Sequence, residues 1–588
     1  MNKNIGKRDF NFDMNPVLNV PDTTSIAGYS MILKEIMNKI EKLQENVIVA
    51  FDYHYGIDSK KFFDNIIDKL DADLMINMDD LKYSEEVIYE KIKTFVEVHG
   101  EMGKLSTYHL KDFFDPDKMD KARDSIKKSK GLIVVYGVGA GILTKGDLFI
   151  YCNVEQNTIH KRFSNGMDNW GVGNYDADPA EKIKRYSCVD ARALEWHKRT
   201  LFEVMDYMVD CNDEDNPVMV TGKDFTKTLN AFLKTPFKMV PFFTPGVWGG
   251  RWQKDMLGAD ESMVNTAWGT IGIMDFQCVK AKCGENEVCF PARDIILYNP
   301  IQLLGHQVFF LFGYRCPITM DYLDTWGGQH LSLQVHPTCA YCQEVFNYPF
   351  AHNESYYVMD ATDHSSIFLG TKTGVRLDEL VDAFQEAQKS GKFDETKYIN
   401  RWPVKKHDHV YIPSGTIHSA AKDTVVLEID TTVMVTFKLW DWGRLDLNGK
   451  PRPISIEHGA QVIQERRQTE FVKENLMSKH TIIDEGDGWR KEHSGLMDYE
   501  LLTVDRYWFT KTLFFDTKDF IKQYCLVEGE EAIIESPNGE FEPLILHYAE
   551  AVVVPASVGQ HTIKPYGKSI GKELAILECY MSVGSKPL

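Results

Sequence analysis

The chain of 588 residues has little that fits a membrane span or an export signal. Its longest apolar run, GLIVVYGVGAGIL at residues 131–143, is shorter than the roughly 20 residues that cross a bilayer, and glycines interrupt it. Residues 1–15 mix charged and polar side chains without the apolar core of a secretory signal. We therefore expect neither a membrane-spanning helix nor export.

Positive charge is also scarce. There are 66 Lys and Arg residues against 86 Asp and Glu residues, a formal net charge of -20. An acidic surface repels phosphate backbones and anionic lipid heads, so we expect no nucleic-acid or membrane partner. The 11 cysteines are scattered, which predicts reduced thiols in a cytoplasmic protein rather than a disulfide framework.

The first part of the chain has an α/β pattern. Ile32, Ile36 and Ile40 recur at helical spacing, and the apolar run VIVAF at 47–51 after them predicts a buried strand. Further predicted elements are strands at 132–137 and 148–154 and helices at 84–98 and 190–208. Unbroken apolar strands that alternate with helices favour a mostly parallel sheet, ending near Thr235.

From Pro236 onward, short β-like runs are broken by Gly, Pro and Asn, which is typical of an antiparallel β-sandwich or barrel. One clear helical insertion is predicted at 377–389, and a polar helical stretch at 456–479 precedes a last β-rich segment. The motif VYIPSGTIHS at 410–419 recurs loosely as VVVPASVGQHT at 552–562. This echo indicates two related β-barrel modules.

Polar residues in the first of these modules suggest a metal site. In the segment LSLQVHP a strand's period of two places Ser332, Gln334 and His336 on one face. Glu354 opens a further strand, and His418 follows a Pro-Gly turn. Each residue alone also fits a solvated sheet face, but one amide oxygen, two imidazoles and one carboxylate together suit Zn²⁺ or a similar divalent ion.

Five short motifs occur in order along this region. They are LSLQVHP at 331–337, Glu354 before Tyr-Tyr-Val, IPSGTIHS at 412–419, LEI at 427–429 and KLWDWGRLD at 438–446. In this order they resemble the class I mannose-6-phosphate isomerases of the cupin superfamily. The resemblance covers about residues 236–588 and implies two cupin-type, jelly-roll β-barrel modules.

The resemblance also implies a ligand set and a reaction. Gln334, His336, Glu354 and His418 match the family's metal ligands, which implies one Zn²⁺ or other divalent ion per chain. The implied reaction interconverts an aldose and a ketose through an enediolate, with mannose 6-phosphate and fructose 6-phosphate as the expected pair. The expected partner is therefore a small-molecule sugar phosphate.

Catalytic and substrate-binding residues follow from the same resemblance. Lys438, Arg444 and Glu428 are the implied catalytic residues, and Ser332 and His352 are the implied substrate-binding residues. A charge near the developing enediolate and a group that carries a proton between two carbons are what this chemistry needs. Arg444 is a further candidate for binding the phosphate.

Three positions depart from the family pattern. Lys438 stands where the family usually has Arg, Met434 where it usually has Asp, and His352 where it usually has Lys. Lys keeps the charge of Arg but not its planar fork of donors. These departures leave open an alternative function, a non-catalytic metal-bearing cupin that binds or senses a sugar phosphate.

The N-terminal part has a weaker resemblance, over about residues 25–215, to a nucleoside-kinase-like P-loop domain. It depends on VIVAFDYHYGIDSKKFF at 47–63, LIVVYG at 132–137 and NVEQNTIHKRF at 153–163. A working loop needs G-x-x-x-x-G-K-[ST], but this chain has Asp52, Ile57, Asp58 and Ser59 there. Two acids occupy the place of the phosphates, so we expect an inactive domain, with a bifunctional kinase–isomerase as the alternative.

The sequence thus predicts a multidomain chain with three parts. They are a degenerate kinase-like α/β domain at 1–235, a metal-binding cupin domain with a helical insertion at 236–475, and a second cupin-like β domain at 476–588. The oligomeric state is left open.

Overall fold

A computed structural model describes residues 11–43, 45–98, 102–274, 276–431, 435–494 and 502–581 of the chain. The chain forms two compact units. The α/β unit contains Val17–Phe232 and Asp275–Tyr298, and the β unit contains Met1–Pro16, Leu233–Met274 and Asn299–Leu588. Among the described residues, every helix is too short or too polar to span a lipid bilayer.

A seven-stranded sheet forms the centre of the α/β unit. In order across the sheet, its strands are Ser25–Ala27, Val218–Thr221, Tyr207–Asp210, Leu148–Asn153, Val47–Tyr53, Leu132–Gly137 and Leu74–Asn77. The last five strands pair in parallel. Val218–Thr221 pairs antiparallel with its neighbours on both sides. Val49, Phe51, Val134 and Ile150 are 2% exposed or less, because helices and loops cover both faces of a parallel sheet. The predicted mostly parallel sheet is confirmed.

Helices of the α/β unit alternate with these strands. They are Tyr29–Ile40, Ser59–Phe62, Glu85–Val96, Pro116–Lys128, Ala140–Leu143, Gln156–Ser164, Pro179–Arg185, Ala191–Lys198, Gly222–Lys234 and Arg293–Tyr298. The prediction of a helix over 190–208 is wrong in its second half, because Tyr207 already begins a central strand. Phe202 and Met205, which extended the helical pattern, are buried in the turn between helix and strand.

A hairpin distant in sequence completes the α/β unit. The strands Cys278–Cys283 and Asn286–Pro291 form it, and Val17–Val20 pairs in parallel with the first of them. Asp210 at the end of a central strand accepts a hydrogen bond from the Cys289 N–H at 2.7 Å. The predicted domain boundary near residue 235 stays a prediction. The hairpin lies beyond residue 235 in sequence and yet belongs to the α/β unit.

The β unit begins with a module of two antiparallel sheets. The six-stranded sheet has the order His409–Ile412, Glu354–Ala361, Thr424–Asp430, Thr319–Asp324, Trp268–Thr270 and Phe242–Thr244. The five-stranded sheet has the order Ile399–Pro403, Ser366–Thr371, His418–Ala420, Leu333–Val335 and Phe437–Trp440. Glu354 of one sheet contacts His418 of the other, so the two sheets face each other across this point.

A second module repeats the two-sheet arrangement. Its six-stranded sheet has the order Thr481–Gly486, Trp489–His493, Leu502–Phe509, Leu574–Met581, Lys522–Glu528 and Ala551–Val554. Its four-stranded sheet has the order Leu513–Asp516, Gln560–Pro565, Glu531–Glu535 and Leu544–His547. Tyr524, Val552 and Ile576 of the first sheet share one apolar core with Ile534 and Ile563 of the second. Closure of either module into a barrel stays a prediction.

Short helices are more numerous in the β unit than predicted. They are Trp252–Leu257, Pro300–Leu304, His306–Phe312, Cys339–Phe346, Leu377–Ser390, Glu395–Tyr398, Ile456–Val462 and Thr469–Asn475. The predicted insertion at 377–389 is confirmed, but the expectation of only one clear insertion is wrong. Apolar segments such as HQVFFLF at 306–312 are as rich in β-formers as a strand, and composition alone does not separate the two.

A buried ion pair attaches the returning segment to the α/β unit, and it gives a first prediction. The Lys198 Nζ lies 2.7 Å from the Asp294 Oδ2, and both side chains are 2% exposed. Asp294→Leu should leave a buried ammonium without its partner and destabilise the unit by about 3–5 kcal/mol. Hydrogen exchange of the Leu148–Asn153 amides should accelerate accordingly.

Two controls accompany this test. Removing both charges, in Lys198→Met/Asp294→Leu, should restore most of the protection. Glu90→Ala, which removes an exposed ion pair with Lys93, should change little. Unchanged exchange in the Asp294→Leu variant would contradict the attachment of this segment to the α/β unit.

Candidate functional site

The strand register of the five-stranded sheet aligns three predicted site residues. Gln334 lies directly opposite His418 on one side and Lys438 on the other. Directly opposite residues of neighbouring antiparallel strands point to the same face of a sheet. His336 follows Gln334 by two positions and therefore shares that face.

Glu354 reaches the same place from the six-stranded sheet. Its Oε1 lies 3.1 Å from the His336 Nε2 and 2.5 Å from the His418 Nε2. Ligand atoms of the three residues lie within 4.8 Å of one another, and all three side chains are buried. The structure therefore brings together residues that are 18 and 64 positions apart in sequence, as the ligand prediction requires.

Hydrogen bonds to the backbone orient both imidazoles. The Nδ1 of His336 lies 2.9 Å from the Val435 carbonyl, and the Nδ1 of His418 lies 2.9 Å from the Thr416 carbonyl. An Nδ1–H that donates to a carbonyl leaves the lone pair on Nε2, which is the usual arrangement of a metal-binding histidine. Both Nε2 atoms therefore point into the site, where a neutral ring offers a lone pair and a protonated ring a positive charge.

The bend before His418 depends on Gly415. This residue has a φ of +86°, and a Cβ there would lie 2.6 Å from the Val462 carbonyl oxygen. Its N–H donates to the His336 carbonyl at 2.7 Å. Only glycine adopts this backbone conformation readily, so one residue couples the two histidine segments.

Gln334 completes the predicted ligand set. Its Nε2 lies 3.2 Å from the His418 Nε2. A 180° rotation of the amide exchanges its oxygen and nitrogen, and the two assignments have nearly the same shape. The oxygen then takes the position 3.2 Å from the His418 Nε2, and the predicted set has two nitrogen and two oxygen donors.

Further buried carboxyls surround this set, and the sequence reasoning missed two of them. Asp321 lies opposite Glu428, and Asp430 lies opposite Glu354 in the six-stranded sheet. Burial and the charge of Glu354 raise the pKa of Asp430 to about 7. Burial and neighbouring carboxylates raise the pKa of Glu428 and of Asp321 well above the ordinary range.

Glu354 behaves differently from these neighbours. Burial would raise the pKa of its carboxyl, but the charges of His418 and His336 outweigh burial and hold the pKa well below 4.5. Glu354 is therefore ionised, whereas the carboxyl groups around it keep their protons to higher pH. The alternation in TVVLEID, where Glu428 and Asp430 share one face, was the signal available for Asp430.

The remaining predicted residues lie in two places. His352 stacks on His336 with ring centroids 3.9 Å apart, inside the carboxyl cluster. Ser332 and Arg444 instead meet at the buried Asp441, to which the Ser332 hydroxyl donates at 2.8 Å. Arg444 also donates to the His330 carbonyl at 2.6 Å.

Met434, one of the departures noted from the sequence, lies outside the described residues.

The second module has an equivalent position with different chemistry. Ile412 and Val554 each precede the proline of the repeated motif, and they lie opposite Glu354 and Lys522 respectively. Lys522 therefore occupies the place of the ligand Glu354. His561 keeps the orientation of His418, with its Nδ1 2.9 Å from a carbonyl two residues earlier, but its Nε2 lies 3.0 Å from a tyrosine hydroxyl.

Acidic side chains of the predicted loop at 52–59 already have partners within the α/β unit. Asp52 is buried, accepts the N–H groups of Gly139 and Gly141 at 3.0 and 2.8 Å, and lies 2.6 Å from the His197 Nε2. Asp58 caps the short helix Ser59–Phe62 by accepting the Lys61 N–H at 2.9 Å. A carboxylate therefore occupies the helix end where a phosphate would bind in a working loop.

Comparison with known proteins gives two kinds of match. Residues 28–234 match a family model described as a domain of unknown function (DUF8485). Over 275 residues the chain is 26% identical to the mannose-6-phosphate isomerase ManA of Bacillus subtilis, covering 46% of this chain and 76% of that protein. A mannose-6-phosphate isomerase of Streptococcus mutans is 31% identical over 135 residues, covering 23% of this chain and 40% of that one.

Among solved structures, the mannose 6-phosphate isomerase from Bacillus subtilis aligns with a TM-score of 0.48 at 18% identity. The alignment covers 58% of this chain and 99% of that one. The curated relatives confirm the prediction of an isomerase-like enzyme. The metal, the sugar and the P-loop likeness of the N-terminal part stay predictions.

The ligand geometry predicts that His336→Ala removes most of the bound divalent ion. The variant deletes one of the two imidazole nitrogens that face Glu354, and a metal site with three remaining ligands of this kind binds far more weakly. Elemental analysis after dialysis against limiting Zn²⁺ measures the loss. His561→Ala, which deletes the equivalent imidazole of the second module, is the matched control and should retain the ion. Full metal content in His336→Ala would refute the assignment.

The acidic residues of this loop predict that the α/β unit does not bind ATP. The Asp58 carboxylate at the helix end repels a triphosphate and competes with it for the same N–H groups. Calorimetry on the full chain with MgATP should show no heat of binding. Micromolar affinity that is lost in Ser59→Ala would show that the loop works despite its acids.

Proposed function

We propose that the β unit is a zinc-dependent aldose–ketose isomerase that interconverts mannose 6-phosphate and fructose 6-phosphate, with the α/β unit as an appended inactive kinase-like domain. The observation that carries the proposal is the convergence of four predicted ligands, of which His336, Glu354 and His418 are buried. Gln334, His336, Glu354 and His418 converge from two facing sheets, and the Nε2 atoms of both histidines face one carboxylate oxygen. The similarity of this region to named mannose-6-phosphate isomerases supports the substrate.

The residues fit a divalent ion on chemical grounds. Both Glu354 oxygens and the His336 Nε2 are buried without a hydrogen-bond partner, which is costly unless a cation binds there. Two imidazole nitrogens, one carboxylate and one amide oxygen suit Zn²⁺ with a position left for substrate. When bound, the ion supplies a Lewis acid that holds the substrate's carbonyl and hydroxyl oxygens.

Glu428 is the proposed proton carrier between C1 and C2. It is 8% exposed and lies in the strand beside Glu354, next to the ligand set. Burial and the nearby carboxylates raise the pKa of its carboxyl well above its ordinary range, so it holds a proton to higher pH than an exposed glutamate does. A group that gains and loses a proton there is what an enediolate mechanism needs.

Lys438 is the proposed cation for the enediolate. It lies opposite Gln334 and so shares the face of the ligand set. Ser332 and Arg444, which meet at Asp441 on the loop after the Lys438 strand, hold that loop in place. Their direct contact with the phosphate, and that of His352, stay proposals.

A non-catalytic cupin that senses a sugar phosphate is the second candidate. It is favoured by the lysine at position 438, which keeps the charge of the family's arginine but not its geometry. After loading with Zn²⁺, the protein should be assayed against phosphorylated and free hexoses. Turnover of mannose 6-phosphate supports the isomerase, whereas binding without turnover supports the sensor.

The position of Lys438 gives a quantitative prediction. Lys438→Ala should lower kcat by about 10²–10³-fold, because one stabilising charge on an oxyanion contributes on that scale. Metal content should not change, since Lys438 is not a ligand. Lys438→Arg should recover part of the activity, and Lys389→Ala on the exposed end of a helix is the control. If Lys438→Ala stays within a few-fold of the parent, the charge must come from elsewhere.

A further inference from the structure

A second cluster of ligand-type atoms lies beside the first. The Nε2 of His352 is 3.7 Å from the Glu428 Oε1 and 3.6 Å from the Asp430 Oδ2. The three side chains are 8% exposed or less, and their ligand atoms lie within 4.8 Å of one another. Atoms about 2.1 Å from one ion lie roughly 3–4 Å from each other, so this spacing fits a single ion.

Glu354 lies between the two clusters. Its Oε1 faces His336 and His418, whereas its Oε2 lies 3.7 Å from the His352 Nε2. The rings of His336 and His352 are stacked, with an angle of 9° between their planes. One carboxylate therefore presents one oxygen to each cluster, as a bridging ligand does in a two-metal site.

Unsatisfied oxygens point into the second cluster. The Asp430 Oδ2 and the Glu354 Oε2 are buried and have no hydrogen-bond partner among the described residues. The other Asp430 oxygen accepts from the Thr319 hydroxyl, which fixes the direction of the free one. An ionised carboxylate buried without a donor is unfavourable unless a cation or a proton compensates it.

When ionised, the carboxyl groups of this region carry more negative charge than one divalent ion neutralises. Asp321, Glu354, Glu428 and Asp430 are four buried carboxyls in neighbouring strands. A single divalent ion at His336 and His418 compensates two of these charges when all four are ionised. A second cation, or protons on two carboxyls, must compensate the rest.

We propose that the chain binds a second divalent cation through His352, Glu428 and Asp430, with Glu354 bridging it to the first. This inference goes beyond the proposed function, which needs one ion. Three carboxylates with one imidazole are a harder donor set than the first site, so Mn²⁺ or Mg²⁺ suits it better than Zn²⁺ does. With the site filled, Asp430 is held as a carboxylate, whereas Glu428 binds the ion through Oε1 and keeps Oε2 for the proton transfer proposed above.

Metal-free protein titrated with Mn²⁺ alone tests the proposal. We expect two ions per chain at saturation by elemental analysis, and an electron paramagnetic resonance spectrum of two coupled Mn²⁺ ions. His352→Ala should bind one ion with an uncoupled spectrum. Asp430→Asn should behave likewise, and it keeps the shape of the side chain if His352→Ala fails to fold.

His407→Ala is the control. It removes a histidine that pairs with Glu528 at 3.2 Å, away from both clusters, and should leave two coupled ions. One ion per chain in the parent at saturating Mn²⁺ would overturn the proposal, as would two coupled ions that persist in His352→Ala. One ion with isomerase turnover overturns only the second site, whereas two ions without turnover overturn only the proposed function.

Discussion

Several carboxyls buried between two facing β-sheets are the constraint on which this site depends. A carboxylate that leaves water without a partner is destabilised by several kcal/mol, and here four carboxyl groups lie in neighbouring strands. The protein compensates Glu354 with two histidines, and it shifts the pKa of Glu428 and Asp430 upward. A bound cation would stabilise this costly arrangement, and the same cation would supply the proposed chemistry.

Hydrogen bonds to the backbone fix the orientation of the two predicted histidine ligands. Both histidines donate through Nδ1 to main-chain carbonyls, and Gly415 couples the segment of His418 to that of His336. Cross-strand pairing then aligns Gln334 and Lys438 on the same face. In the second module the same frame holds Lys522 where the first has Glu354, so one fold has a predicted ion site in one module and an ammonium group in the other.

Local patterns predicted much of this site. The period of two in LSLQVHP placed Gln334 and His336 on one face, and the Pro-Gly turn indicated His418. Asp321 and the second cluster were missed because they depend on which residues lie opposite each other in different strands. That the hairpin at Cys278–Pro291 belongs to the α/β unit was missed for the same reason, since its partner strand at Val17–Val20 is distant in sequence.

The central claim is that a metal held by this ligand set enables sugar-phosphate isomerisation. The most direct test follows conversion of mannose 6-phosphate while chelator-treated protein is titrated with Zn²⁺, with bound metal measured in the same samples. The account predicts no turnover in the metal-free protein and activity that rises in proportion to the first ion bound. Full activity after complete removal of metal, or no activity at any metal content, would contradict it.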